Sequence, residues 1–477
     1  MSLTRTLAHN TALQIAGKII STLLGLITFG LMTRSLGTEQ FGWYITAAGF
    51  LQFVGIFSDF GFVLVVSNLL SEPKFKQETV LNTTFTWRLI TATVFQLVAP
   101  LLFLFFPYPA PVKIAVGILT VSFFAIALAS ICTGYFRTKL TMMPATLGEV
   151  FGRAALLVAV ALFAYGHYGF LYMVGAVTLG SLVTTIYQFL KGPVVKLQID
   201  GAVSRAMFYK MWPTALSIIF NAFYLQGDRV ILPLYVSATE VAYYGAAYRV
   251  LDVVIQIAAM MMGLIMPLVT YAWSRGLKKE FAERCQLSFD LLTFLLLPSL
   301  VGIWILATPI MVFVAGRGFA PAGAIIRSLS IAIVGICFGQ TFGHLALSIN
   351  RQKETLWVFI VDAILSLAGY LVFIPRYGVS GAIGVTIFSE MFAGVCLLGI
   401  FLYYAKVAPR LITLGKTLIA SFGMGVVVYY LRALSLPVPI AAGGATFAIL
   451  ALLFKIISPN TIREVLVLKP VAPKAEV

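Results

Sequence analysis

The sequence predicts an all-α polytopic membrane protein: about fourteen transmembrane helices, forming two six-helix pseudo-symmetric lobes and two additional C-terminal helices. Three observations predict it. The 477 residues are 60% hydrophobic and only 10% charged, with a mean hydropathy of +0.99, whereas about a quarter of the residues in a soluble domain are charged. The apolar residues fall in long runs separated by short polar breaks. A helical span needs about 20 such residues, and helices satisfy their own backbone groups in lipid. Alternating strand-length patterns, the mark of an outer-membrane barrel, are absent. Finally, three short patterns recur in the same order roughly 200 residues apart, as in a duplicated transporter.

The spans follow in order. The first, 10–33, is too long for the apolar core of a signal peptide and lacks a clear cleavage site, so it is expected to stay as an uncleaved anchor. The second, 41–69, is long enough to bend or overhang. Then come 81–106, 112–133, 143–165 and 169–190, which complete one lobe over 1–192. A basic stretch holding Lys191, Lys196, Arg205 and Lys210 leads into 211–235 and the long eighth span, 241–272. Arg275, Lys278, Lys279 and Arg284 precede 285–306, and 323–349, 354–374 and 379–404 finish the second lobe over 193–404. Spans 411–431 and 437–457, with a tail, make up 405–477.

The repeated strings mark corresponding turns. Thr38-Glu39 followed by Trp43-Tyr44 returns as Thr239-Glu240 followed by Tyr243-Tyr244. Arg137-x-Lys139 returns as Arg351-x-Lys353, and Tyr165-Gly166-x-x-Gly169 as Tyr377-Gly378-x-x-Gly381. Each repeat unit holds six spans, and an even number brings the chain back to the same side. The halves are therefore expected to share one orientation, related by a pseudo-twofold axis along the membrane normal, with a site between them.

Charge sets the orientation. With the N-terminus in the cytoplasm, 22 Lys and Arg fall on that side, five fall outside and six lie within spans. The positive-inside rule then places both termini in the cytoplasm. Basic loops facing an anionic leaflet also account for the net charge of +16 without nucleic acid. Cys132, Cys285, Cys337 and Cys396 are scattered through apolar segments and form no metal-binding spacing.

Several stretches resemble one family. Leu36-Gly37-Thr38-Glu39-Gln40-Phe41-Gly42 is similar to the "LG…FG" turn of bacterial polysaccharide-export flippases, as is Asp59-Phe60-Gly61 in the second span. Gly227-Asp228-Arg229, leading to Tyr243-Tyr244-Gly245 and Arg249, resembles the start of their second half. Ile374-Pro375-Arg376-Tyr377-Gly378 with Gly381-Ala382 is similar to their "iP-x-YG-x-x-GA" turn. The resemblance runs through nearly the whole chain. It points to the oligosaccharidyl-lipid flippases of the O-antigen type, in the superfamily that also holds multidrug-and-toxin extruders and the peptidoglycan-precursor flippase. It implies transfer of a polyprenyl-pyrophosphate-linked oligosaccharide from the inner to the outer leaflet of the bacterial inner membrane. The implied purpose is lipopolysaccharide or another surface polysaccharide, with a polymerase and a chain-length regulator as partners.

An ionisable group at a span centre costs about 2.5–3.5 kcal/mol on insertion scales, so it usually faces a cavity or a partner. Glu149 and Arg153 at i,i+4, and Arg249 and Asp252 at i,i+3, have the spacing of self-neutralising pairs. Asp59, Arg88, Asp290 and Arg327 lie nearer span ends and are expected to snorkel. The pyrophosphate that the resemblance implies would need Arg forks or Lys point charges. Lys18 and Arg249 lie in spans one and eight, which line the lumen of each half in the superfamily. They are the first candidates for substrate binding, followed by Arg229, Arg153 and Arg88.

No nucleotide-binding loop is present. Gly415-Lys416-Thr417 ends like one, but position 410 is Arg. The expectation is a secondary transporter, not an enzyme, with no cofactor beyond a coupling proton or sodium ion. Buried carboxylates can hold either ion. Asp362 and Glu390 have no basic neighbour within a helical turn and rank first for coupling, then Asp59 and Asp252. Three further signals are read as noise: the D-F-G string at 59–61, the Asn82-Thr83-Thr84 sequon on the cytoplasmic side, and His344. The rival readings are a peptidoglycan-precursor flippase or a multidrug/cation antiporter of the same fold. A polytopic glycosyltransferase or polymerase is disfavoured, because the outer connection 307–322 carries no carboxylate.

Overall fold

The computed structural model describes residues 3–59, 61–70, 72 and 74–456. Phe60 of the D-F-G string and the expected cytoplasmic tail 457–477 lie outside the described residues. Among those residues there are thirteen α-helices and no strand. Ten helices are long and apolar enough to cross a membrane, and the chain is a multi-pass membrane protein. The fourteen expected spans fit thirteen helices because two helices each carry two spans and one span is broken.

Helix α1 (Leu3–Asp59) is two helices meeting at Gly37, whose φ of 68° favours glycine. The chain reverses there. The rings of Phe29 and Phe41 lie 5.5 Å apart, whereas twelve residues of straight helix span about 18 Å. The second span then breaks after Asp59 at Gly61 (φ 79°) and continues as α2 (Phe62–Leu70). Next come α3 (Gln77–Phe103), α4 (Ala110–Thr138), α5 (Met143–Tyr165), α6 (Phe170–Lys191) and α7 (Gly201–Ile231). After a 3-10 turn at Leu232–Leu234 follow α8 (Ala238–Ser274), α9 (Lys278–Ala315) and α10 (Ala322–Ser348). Helix α11 (Gln352–Ala405) reverses at Gly378 (φ 54°), the counterpart of Gly37 in being a two-span hairpin. The chain closes with α12 (Ile412–Leu431) and α13 (Pro437–Leu453).

The repeated strings are built differently in their two copies. The first Thr-Glu turn pivots on Gly37. In the second, Ser237 and Glu240 form a capping box at the start of α8: the Ser237 amide donates to Glu240 Oε2 (3.1 Å) and the Glu240 amide to Ser237 Oγ (3.3 Å). In the Tyr-Gly turns, the left-handed residue is Gly378 in one copy and His167 (φ 54°) in the other.

The chain forms two compact units. One comprises residues up to Ala242 plus Val314–Gly318; the other comprises Tyr243–Phe313 and the chain from Phe319. Within the first unit, α7 packs through Val203, Met207 and Met211 onto Phe62, Val65, Val66 and Leu69 of α2 and onto α3 and α4. Trp87 Nε1 donates to Ser204 Oγ (3.0 Å), and Lys210 pairs with Glu72. The strand-like linker before α7 hangs on α3. The amides of Lys196, Gln198 and Asp200 donate to Asn82 Oδ1, Thr86 Oγ1 and Thr83 Oγ1 at 2.8, 2.9 and 3.2 Å. The sequon Asn82 is therefore a buried structural residue. In the second unit, Phe281, Cys285 and Phe289 of α9 pack with α8, α10 and α11. Helices α12 and α13 pack on α9 through Leu306, Met424 and Phe447. The four cysteines are free, and all but Cys396 are buried.

One close approach gives a direct test. A Cβ on Gly42 would stand 1.8 Å from the carbonyl oxygen of Ala238. Gly42→Ala is therefore expected to cost at least about 1–3 kcal/mol, because a backbone atom cannot swing aside. It should lower the melting temperature of the detergent-solubilised protein, whereas Gly117→Ala, with nothing within 4 Å, should not.

Candidate functional site

In the first unit, α1 and α5 touch so closely at Gly17 that a Cβ there would lie 2.0 Å from Thr146 Cγ2. This contact brings Lys18 to Glu149, with Nζ–Oε1 at 3.5 Å and both side chains 40% exposed. Glu149 thus pairs across to another helix, where the i,i+4 spacing had suggested Arg153 as its partner. An ammonium half-open and balanced by one carboxylate can exchange that partner for an anion of higher charge. Arg229 on α7 donates from Nη1 toward Gln52 Oε1 (3.4 Å) and lies against Gly49.

Arg88 has a different setting. It is 3% exposed, so it does not snorkel. Its Nε donates to the Ala127 carbonyl (2.9 Å), Nη1 donates to the Ser58 carbonyl, and Nη2 sits 3.1 Å from Asp59 Oδ1. The ring of Phe62 lies 5.2 Å beneath the guanidinium. A broken helix leaves carbonyls without partners at its C-terminal end. Arg88 caps the end that the break after Asp59 creates. Two sequence candidates of opposite role, Arg88 and Asp59, are thereby brought together as a pair.

In the second unit, Arg249 on α8 is half-buried and has no hydrogen bond or ion pair among the described residues. Asp252, one turn on, is also half-buried. The reversal of α11 at Gly378 builds a polar site around Asp362, which is fully buried. Ser389 Oγ donates to Asp362 Oδ1 (2.8 Å), Ser366 Oγ lies 3.3 Å from the same oxygen, and the two hydroxyls are 2.7 Å apart. Asp362 Oδ2 has no hydrogen-bond partner among the described residues. Glu390, 6% exposed, follows Ser389 directly, and its backbone lies against Gly335 of α10. One turn away, Tyr370 bonds Thr386 (3.0 Å), and Tyr244 and Tyr248 lie 3.5 and 3.4 Å from the same hydroxyl.

An isolated buried carboxylate is costly. A proton or a small monovalent cation on the bare oxygen would relieve that cost, and Ser366 and Ser389 supply neutral oxygens beside it. Among the described residues no group of three or more His, Cys, Asp or Glu could hold a metal ion. Sequence reasoning selected Asp362 and Glu390 but missed Ser366, Ser389 and Thr386. A hydroxyl one turn from each acid was the available signal. Two further titratable groups are held by hydrogen bonds on their own helices. Asp290 accepts from Gln286 Nε2 (2.7 Å), and His344 Nδ1 sits on the Gln340 carbonyl at 2.5 Å.

Known proteins were compared with the chain. A family model described as "Polysaccharide biosynthesis protein" matches residues 7–273, more than half of the chain. A probable lipid II flippase MurJ from Bdellovibrio bacteriovorus is 22% identical over 173 residues, which is 35% of this chain and 33% of that relative. The matched stretch thus spans about a third of the relative's length. Among solved structures, a lipid II flippase MurJ in an inward closed conformation superposes with a TM-score of 0.75 at 15% identity, covering 93% of this chain and 99% of that one. An inward-facing multidrug resistance MATE family transporter of the MOP superfamily gives 0.60 at 16% identity, with 84% and 95% covered. The eukaryotic MATE transporter AtDTX14 gives 0.59 at 14% identity, with 84% and 95% covered. At these identities the likeness speaks for the fold.

Proposed function

The chain belongs to the polysaccharide biosynthesis protein family, and on that premise we propose that it is a secondary transporter, not an enzyme, that flips a polyprenyl-pyrophosphate-linked oligosaccharide. The direction is from the inner to the outer leaflet of the bacterial inner membrane, by ion-coupled alternating access, with both termini in the cytoplasm. The product feeds O-antigen or another surface polysaccharide, and a polymerase and chain-length regulator are the expected partners. The carrying observation is Arg249: an intramembrane guanidinium with no anion among the described residues is matched by an anionic cargo. Lys18, whose single carboxylate partner is half-exposed, is the corresponding anion-binding candidate of the first unit, with Arg229 and Arg153 in support. Asp362, with its bare oxygen, is the coupling group, with Glu390 beside it.

The fold likeness to a lipid II flippase favours one second reading, peptidoglycan-precursor transport, whose headgroup is also a diphosphate. The test uses proteoliposomes holding a labelled polyprenyl-diphosphate oligosaccharide or labelled lipid II, under an imposed proton or sodium gradient. Faster transfer of the oligosaccharide under one gradient is the expected result. Preference for lipid II selects the second reading, and indifference to both gradients removes ion coupling. In the same assay Asp362→Asn is expected to abolish the gradient response, because the amide can neither take up a proton nor balance a cation.

A further inference from the structure

Helices α9 and α12 enclose an apolar groove of about 610 Å³, lined among others by Val301, Trp304, Leu418, Phe422, Val426 and Tyr430. Ligand pockets run from roughly 300 to 1,000 Å³. The floor is a close helix contact, where Gly425 meets Val301. Successive spans alternate in direction, so α9 and α12, spans nine and thirteen, run parallel and bring Trp304 and Tyr429 to the same end. Each of these wall residues carries an arginine. Arg327 Nε donates to the Trp304 carbonyl (3.1 Å), and the Arg432 guanidinium stacks 3.9 Å from the Tyr429 ring centroid. Both arginines are exposed, and neither has a carboxylate within 4 Å among the described residues.

The sequence explains why. No Asp or Glu occurs between Asp290 and Glu354, nor between Glu390 and Glu464. The stretches of α9 and α12 that line the groove and the segment bearing Arg327 are therefore free of acids, and no carboxylate of the described residues balances the two arginines. In a bilayer an apolar groove fills with a hydrocarbon chain, and Trp and Tyr at its end mark headgroup depth. Two guanidiniums at that depth suit a phosphate.

We infer that this groove is a resident site for an anionic phospholipid of the phosphatidylglycerol class: one acyl chain lies between α9 and α12, and the phosphate sits on Arg327 and Arg432. In the topology proposed above, the lipid belongs to the outer leaflet. The inference does not rest on the flippase reading, because it concerns the membrane solvent and not the cargo.

Native mass spectrometry of the full chain, released from vesicles of phosphatidylglycerol and phosphatidylcholine, tests it. The wild type is expected to retain one phosphatidylglycerol and to melt higher in phosphatidylglycerol than in phosphatidylcholine. Arg327→Gln with Arg432→Gln should reduce retention at least tenfold and erase the melting difference. The double Lys variant, which keeps the charges, should retain the lipid. Val426→Trp, which fills the groove and leaves both arginines, should also lose it. Equal retention of phosphatidylcholine, unchanged retention by the double Gln variant, or recovery of a polyprenyl diphosphate in place of the phospholipid from cell membranes would each overturn the inference.

Discussion

Arg249→Ala and Lys18→Ala are each expected to abolish flipping while leaving the protein at normal abundance in the membrane. Removing one partner of a desolvated charge pair costs about 2–5 kcal/mol of binding. At 1.4 kcal/mol per factor of ten, that is roughly 30-fold to several thousand-fold in transport. Arg249 has no hydrogen bond or ion pair among the described residues, so its removal takes neither from the fold. Lys18 leaves behind only Glu149, itself 40% exposed and able to draw on water. Arg249→Lys should retain part of the activity, because charge survives and the planar fork does not. The measurement is surface-polysaccharide export in cells alongside immunoblotted membrane abundance. Normal export in both alanine variants would remove these residues from the substrate path.

Arg88→Ala is expected to fail in the opposite way, by loss of folded protein. The guanidinium is 3% exposed and ties four features together: the Ala127 carbonyl on α4, the Ser58 carbonyl, the Asp59 carboxylate and the Phe62 ring. Breaking a buried ion pair by removing one partner costs about 3–5 kcal/mol. The broken end of α1 would also lose its cap. Membrane abundance and melting temperature should fall together. Asp59→Asn should be milder, since Asp59 is one-third exposed and Arg88 keeps its two carbonyl acceptors. Normal abundance and melting in Arg88→Ala, with export lost, would return Arg88 to the substrate path.

These two outcomes separate cations that the sequence alone ranks on one scale. Lys18, Arg88 and Arg249 all read as intramembrane charges. What distinguishes them is the partner, and the partners are far away in sequence. Glu149 is 131 residues from Lys18, and Ala127 is 39 from Arg88. The i,i+4 rule could see only Arg153 beside Glu149, because it looks along one helix. The Asp362 site shows the same limit. Ser366 lies one turn away and was within reach of a periodicity argument, but Ser389 is 27 residues from Asp362 and arrives only because α11 reverses at Gly378. The duplicated strings located corresponding turns without fixing their geometry. Leu36 stands where the second copy has Ser237, so the capping box exists once. The left-handed residue is Gly378 in one copy and, one place beyond its counterpart Gly166, His167 in the other.

The sequence by itself determined the class of protein, the approximate positions of its spans, the turns that join the first to the second and the eleventh to the twelfth, and the acid-free stretches around the apolar groove. These follow from run length, composition and local backbone preference, which are properties of neighbouring residues. Only the tertiary structure decided which charges are spent and which are open: Arg88 committed to a helix break, Arg249 without a partner among the described residues, Asp362 buried with one bare oxygen. It also placed α7, the first helix of the second sequence repeat, in the compact unit of the first, through Met207 and Met211 against α2–α4. The physical reason is that burial and pairing depend on contacts between residues distant in the chain, and hydropathy along the chain carries no record of those contacts.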